Sequence, residues 1–314
     1  MRHVLVLAGG LSHERDVSLR SGRRVVDALT RSGSEAHLRD VDPALLGAIR
    51  SSRPEVVWPV LHGASGEDGA LRDVLGSLRI PYVGSRPASC RLTWDKPVAK
   101  ALVGAADIST PSGMALSHAT FRELGAPVLL ASVIDSLGLP LVVKPSRGGS
   151  SLGLTIVRSA TELPSAMVTV YAYGDIALIE RFIEGTEVSI SIVEDQQGNA
   201  QALPAVEIVP DGGVYNYVAR YTAGATEFFT PARLSSSAAA SAAAVSLAVY
   251  RTLDHQHLSR VDLIIDADER PWFLEANVSP GMTETSLLPM AVEAAGMDAS
   301  EVYAGIVERA LATH

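Results

Sequence analysis

Asp262, Glu275 and Asn277 are three oxygen donors whose spacing lets them converge at one end of a β-hairpin. VDLIID and PWFLEAN alternate apolar and polar residues and predict two strands, with ADER as the turn between them. Glu275 and Asn277 are two residues apart, so both side chains leave one face of the second strand, while Asp262 lies across the hairpin. Two carboxylates and an amide are hard oxygen ligands suited to Mg²⁺, particularly Mg²⁺ shared with nucleotide phosphates. Taken alone, the pattern also reads as an exposed polar strand face. The segment that follows, VSPGMTETS, is a loop of small residues that packs poorly but can place backbone N–H groups beside a ligand.

A second group of residues points to phosphate. KPSRGGSSLG, residues 144–153, carries three glycines and three serines that expose backbone N–H groups, with Lys144 supplying a positive charge at the base. The order GxxxxGK[ST] is absent, so this is not a Walker A loop; a flexible surface loop is the alternative. IERFIEGTE adds Glu180 and Glu187, one for an adenine amino group and the other for a ribose hydroxyl, or both as solvated carboxylates. In GGLSHERDVSLRSG, Glu14 stands at a strand-to-helix crossing, where it either holds a substrate ammonium or charges a helix N-terminus. His62 in HGASGEDG either binds a polar substrate group or caps a strand end.

The elements that must position these residues follow from periodicity. HVLVLAGG, EAHLRDVD and PEVVWPVLHG read as strands alternating with the amphipathic helices VSLRSGRRVVDALTRSG and GALRDVLGSLRI. That rhythm predicts a parallel sheet with helices on both faces and a ligand site at the strand ends. PLVVKPSRGGSSLGLTIV predicts strand, long loop, strand, and DIALIERFIEG a further strand. From Thr186 onward the strands EVSISIVED, AQALPAVEIV and the hairpin predict a largely antiparallel sheet. GVYNYVARYTAGATEFFTPARL has no clean period and is expected to be an ordered loop, and SSSAAASAAAVSLAVYRTLD a Ser-capped helix.

Composition narrows the function. At 314 residues, 47% hydrophobic and 19% charged, the chain is long enough for two or three packed lobes. A formal charge of −9 without a basic cluster argues against nucleic-acid binding. A single cysteine, Cys90, excludes an internal disulfide and fits a reducing compartment. No run approaches a membrane span, so a soluble, cytoplasmic protein is expected. GxGxxG is missing after the first strand, which leaves a nicotinamide-dependent oxidoreductase resting on one βαβ unit alone.

In their order and spacing, GGLSHERDVSLRSG, LHGASGEDGALRDVL, PYVGS, DK, VVKPSRGGSSLG, IERFIEGTE, the RY-containing loop, RVD and LEANVSPGMTETSLLP resemble the D-alanine–D-alanine ligases of the ATP-grasp superfamily. The resemblance runs over essentially the whole chain. It implies an α/β three-domain ATP-grasp ligase: an N-terminal parallel α/β substrate-binding domain over 1–94, then two α+β ATP-grasp lobes over 95–185 and 186–314, the last carrying the metal site and a lid loop. It implies ATP-dependent joining of two D-alanines through a D-alanyl phosphate, for peptidoglycan precursors, with ATP and two Mg²⁺ ions (Mn²⁺ being an admissible substitute). The partners implied are small molecules and a second copy of the chain in a homodimer, with no nucleic acid and no membrane.

By motif, the resemblance assigns Lys96, Lys144, Ser151 and Arg220 to the ATP phosphates, Glu180 and Ile183 to adenine, and Glu187 to ribose. Asp262, Glu275 and Asn277 become metal ligands, and Arg260 with the Gly281 N–H faces the oxyanion. Glu14 and His62 take the first substrate, Ser286 and Leu287 the carboxylate of the second. Ser150 and Tyr221 join Glu14 in a hydrogen-bonded link that closes a lid. Two departures stand out: Arg220 replaces the family's usual lysine, and Asn216 stands where aspartate is common. They motivate an alternative in which D-alanine is joined to another D-amino acid or a D-hydroxy acid. Tyr221 favours an amine nucleophile over a hydroxyl. A nucleotide-binding protein without catalysis is a further alternative, opposed by the intact Arg260, Asp262, Glu275 and Asn277 set.

Overall fold

The structure, a computed structural model, describes every residue except Val214, Asn216, Tyr217, Val218, Arg220, Tyr221, Ala223 and His314. The chain opens with β1 (His3–Ala8), α1 (Arg15–Arg31), β2 (Glu35–Asp40), α2 (Leu45–Ser52) and β3 (Val56–Pro59). These strands form a parallel sheet of order β2-β1-β3, as the alternation of strand and helix predicts. Helix α1 lies so close to the sheet that a Cβ on Gly22 would come within 2.6 Å of Leu38 Cδ1. Glycine is therefore required there for packing rather than for a turn. Short helices α3 (Ala64–Glu67), α4 (Ala70–Ser77) and α5 (Pro87–Trp94) lead to α6 (Lys96–Ala105), whose N-terminus is capped by the Asp95 side chain.

The next sheet is built from β4 (Gly113–Ser117), β5 (Leu141–Pro145), β6 (Thr155–Val157) and β7 (Ile176–Arg181), with α7 (His118–Leu124), α8 (Ala126–Leu137) and α9 (Leu163–Tyr171) between them. Its order is β4-β7-β5-β6 and it is antiparallel throughout. The third sheet comprises β8 (Thr186–Glu194), β9 (Ala200–Ala202), β10 (Val206–Pro210), β11 (Thr226–Phe229), β12 (Leu258–Ile265) and β13 (Pro271–Asn277). It is antiparallel in the order β11-β10-β8-β12-β13, with β9 added against β8. The long helix α10 (Ser236–Thr252) begins at the Ser235 cap, and α11 (Leu287–Ala294) and α12 (Ala299–Thr313) end the chain.

Strand β11 departs from the loop expected between 213 and 234. Four residues, TEFF, are too few to show a period, and their state is set by antiparallel pairing with β10 from Glu207↔Phe229 to Pro210↔Thr226. The Asn216, Arg220 and Tyr221 expectations fall outside the described residues.

Burial is shared across distant parts of the sequence. Val4, Val6, Val25 and Trp58 of the first sheet and its helix pack in one core with Val193, Leu258, Leu288, Tyr303 and Ile306. Trp58 meets Tyr303 edge-on at a centroid distance of 5.4 Å. Ala99, Val103 and Ile108 pack under the third sheet with Val188, Ile190 and Phe273, although they precede the second sheet in sequence. Residues 116–179 enclose a core of their own. Among the described residues, no helix is long and apolar enough to cross a membrane.

Candidate active site

The hairpin places its polar residues opposite one another. Register pairs Asp262 with Glu275 and Arg260 with Asn277, and an irregularity follows between Asp262 and Leu263. LSRVDLII also lies against β8, where Asp262 stands opposite Ser189. Ser189 Oγ donates to Asp262 Oδ1 at 2.8 Å, and Arg260 donates to both Asp262 oxygens, Nε to Oδ1 at 2.9 Å and Nη2 to Oδ2 at 2.8 Å. Burial alone would lower the Arg260 pKa, but the adjacent Asp262 carboxylate outweighs it and raises it above its ordinary value. Arg260 is thus a fixed, buried cation held in a bidentate fork.

The loop after Asn277 is tied down by the N-terminal sheet. Asn277 Oδ1 accepts from the Ser279 N–H at 2.7 Å, Ser279 Oγ donates to Leu61 O at 2.8 Å, and the Met282 N–H donates to Ser21 Oγ at 3.1 Å. A Cβ at Gly281 would sit 2.7 Å from Ser286 Oγ, so only glycine leaves that contact undisturbed. Ser286 Oγ in turn accepts from the Thr283 N–H at 2.9 Å, which closes the turn into α11.

The glycine-serine loop reaches the strand ends of the first sheet. Ser150 and Ser151 adopt left-handed backbone angles, φ 54° and 55°, which side-chain-bearing residues rarely hold. That conformation aims Ser150 Oγ at Glu14, and it donates a hydrogen bond to Glu14 Oε1. Lys96 Nζ donates to Gly148 O at 2.7 Å and stands 3.5 Å from Glu275 Oε2. Glu14, Ser150, Lys96 and Glu275 are 4 residues from four separate segments, and this loop is where they meet.

Two cavities adjoin at this place. The smaller, about 110 Å³, is lined by Glu14, His62, Arg260, Asn277, Gly281 and Ser286. The larger, about 420 Å³, is lined by Lys144, Ser151, Glu180, Ile183, Glu187 and Asp262. Lys96, Gly148, Gly149, Tyr215 and Glu275 line both. The larger cavity has the apolar walls of a base pocket in Ile183, Leu154 and Ile264, and the smaller is the more polar. Leu287 lines the smaller cavity beside Ser286. The residues singled out in the sequence and described in the structure therefore divide between two compartments with a common wall.

Three residues at or behind the site, Glu67, Tyr215 and Lys100, were not singled out in the sequence. Glu67 is buried in the wall of the smaller cavity, where burial first and the Glu14 charge second push its carboxyl up to about 8. His62 beside it is buried, and burial lowers its pKa, which keeps the imidazole neutral near pH 7. Tyr215 stands at the junction of the cavities. Lys100 reaches Glu180, whose other oxygen meets Lys144. Only HGASGEDG offered a clue, since Glu67 lies five residues after His62 within that motif. Lys100 has no local pattern, and Tyr215 belongs to the YNY stretch, which drew attention only to Asn216. Cys90 is a buried packing residue, its thiol pushed up by burial.

The donor set fits a hard divalent cation. Asp262 and Glu275 face each other across the hairpin and Asn277 adds an amide oxygen two residues on. Each carboxylate oxygen has two lone-pair directions; Asp262 Oδ1 accepts from both Ser189 and Arg260, while Oδ2 accepts from Arg260 alone and keeps a direction with which to coordinate.

Comparison with known proteins yields a consistent set of relatives. The family described as D-ala D-ala ligase C-terminus matches residues 102–308. The chain is 40% identical over 305 residues to a D-alanine--D-alanine ligase of Bordetella petrii, covering 97% of this chain and 91% of the relative. The structure is similar to a D-alanine--D-alanine ligase from Bacillus anthracis complexed with ATP, with TM-score 0.83 and 30% identity, covering 100% of this chain and 98% of that one. It is also similar to the VanG D-Ala:D-Ser ligase from Enterococcus faecalis, with TM-score 0.85 and 25% identity, covering 98% and 99%.

Proposed function

The chain belongs to the D-alanine–D-alanine ligase family, and we propose that it is an ATP-dependent ligase that joins two D-alanines through a D-alanyl phosphate. The observation that carries this reading is the pair of adjoining cavities with Lys96 and Glu275 in their common wall. A nucleotide in the larger cavity has its terminal phosphate at that wall, within reach of an amino-acid carboxylate in the smaller one. Direct phosphoryl transfer needs this contiguity and an exclusion of water.

In this reading Lys96, Lys144 and the N–H groups around Ser151 neutralise the phosphates, Glu180 and Ile183 meet adenine, and Glu187 meets ribose. Arg220 belongs with the phosphate contacts and Tyr221 with the lid. Asp262, Glu275 and Asn277 would hold Mg²⁺, which when bound screens the phosphate charge and polarises the transferred group. Glu14 receives the ammonium of the first D-alanine, and the Ser150 hydrogen bond to Glu14 fixes that carboxylate toward the cavity. Neutral His62 lies beside it and adds no charge to compete with the ammonium. Arg260, with the Gly281 N–H, stabilises the negative charge that develops on the carbonyl oxygen of the acyl phosphate when the second amine attacks, before the C–O bond to phosphate breaks and inorganic phosphate leaves. Ser286 and Leu287 position the second D-alanine's carboxylate at the start of α11. The Asp262 fork supports this role for Arg260, since an immobilised cation costs little reorganisation in the transition state.

Supply of the dipeptide for cell-wall precursors, in the cytoplasm and as a homodimer, extends the same reading. Phosphate release with D-alanine alone, D-alanine with other D-amino acids, and D-alanine with D-lactate tests the assignment, with products identified by mass. ATP-dependent D-alanyl-D-alanine from D-alanine alone is expected. Turnover only with a mixed pair overturns it.

A further inference from the structure

Glu180 sits at the centre of a buried triad. Its side chain is on β7, where register places it opposite Gly113 and Val142, and a Cβ on Gly113 would lie 2.9 Å from Glu180 Cγ. Lys144 Nζ approaches Glu180 Oε2 at 2.9 Å from within the larger cavity. Lys100 Nζ approaches Oε1 at 2.7 Å, yet Lys100 lines neither cavity. It comes from the far side, on α6, as an ion pair, and its ammonium donates to Thr110 Oγ1 at 3.0 Å and Phe273 O at 3.1 Å. The three contacts fix its ammonium in place.

This arrangement has one carboxylate between two ammonium groups, only one of which faces the nucleotide compartment. A buried carboxylate stripped of every cation is strongly disfavoured. With Lys144 as its sole partner, Glu180 would hold that lysine in place. With Lys100 behind it, Glu180 stays paired when Lys144 turns to a polyphosphate. We propose that Lys100 is a positioning residue for nucleotide binding, which retains Glu180 and so releases Lys144 to the triphosphate. The proposal rests on the reading of the larger cavity as an ATP site.

The test compares ATP with adenosine, which lacks the phosphates. Binding of each is measured by calorimetry or ligand-observed NMR on the full-length protein and on Lys100→Met, Lys100→Gln and Lys100→Arg, with thermal melts as a folding control. In Lys100→Met, Glu180 keeps Lys144, so adenosine affinity stays within about twofold while ATP weakens about tenfold or more, equivalent to 1.4 kcal/mol per tenfold. Lys100→Arg restores ATP binding to within about threefold of the parent. If Lys100→Met does not fold, Lys100→Gln, which keeps an uncharged polar donor on the same side of Glu180, carries the same comparison. Unchanged ATP affinity, or equal loss for ATP and adenosine, overturns the proposal. Absence of ATP binding by the parent protein would instead overturn the nucleotide reading itself.

Discussion

At the scale of single residues, charge placement sets the chemistry. Glu275 stands in the wall shared by the two cavities, 3.5 Å from Lys96. Glu275→Gln keeps the shape and removes the charge a divalent cation needs, so turnover is expected to fall by about 100-fold or more, roughly 2.7 kcal/mol in barrier. The melting temperature should stay near that of the parent, and a raised Mg²⁺ requirement for ADP formation is the check. Near-normal activity at ordinary Mg²⁺ contradicts the metal role. Glu67 gives a second expectation. Its carboxyl rises from 4.5 to about 8 on folding because it is buried beside Glu14. Between those values the folded state keeps a proton that the unfolded chain releases, so stability falls as pH rises through that window, by at most about 1.4 kcal/mol per unit. Glu67→Gln removes this linkage. The melting temperature of the variant relative to the parent should therefore rise from pH 5 to pH 8, and a pH-independent difference rules the effect out.

At the scale of elements, the site depends on two loops that residues distant in the chain hold in place. Ser150 and Ser151 keep left-handed backbone angles because the loop between β5 and β6 reaches across to Glu14. The loop after β13 is fixed by Leu61 and Ser21 of the N-terminal region. Gly281→Ala would drive a Cβ to 2.7 Å from Ser286 Oγ. The expected result is a several-fold rise in KM for D-alanine at the second site, with destabilisation within about 1 kcal/mol because the loop can give locally. Steady-state kinetics at varied D-alanine, set beside a thermal melt, separates the two effects. An unchanged KM means that the Gly281–Ser286 contact does not shape the second site. The strands and helices themselves were legible from periodicity, since β1, β8, β12 and α10 are long or strongly patterned. Strand β11 was not, because four residues that take their state from pairing with β10 carry no period.

At the scale of the whole molecule, the first sheet and the last two helices share one core. Ile306→Ala, at a fully buried position in that core, should cost about 2–5 kcal/mol. Hydrogen exchange should quicken together in β1 and β12, which both border the core, and change less in β5 and β7, whose core is separate. Faster exchange confined to α12 would show that the shared core does not couple the two regions.

The sequence by itself determined the family, the order of the elements and the chemical types gathered at the site, because these follow from local pattern and motif spacing. Lys96, Lys144, Glu14 and the hairpin triad could all be named from such patterns. Only the tertiary structure decided how they face one another: Arg260 in its fork with Asp262, Lys96 at the junction of two cavities, and Glu180 between two lysines. Glu67, Tyr215 and Lys100 entered the site on the same ground. The physical reason is that burial and charge pairing are properties of neighbours in space. Lys100 and Glu180 lie 80 residues apart in the chain and 2.7 Å apart in the fold, and no local pattern encodes that distance.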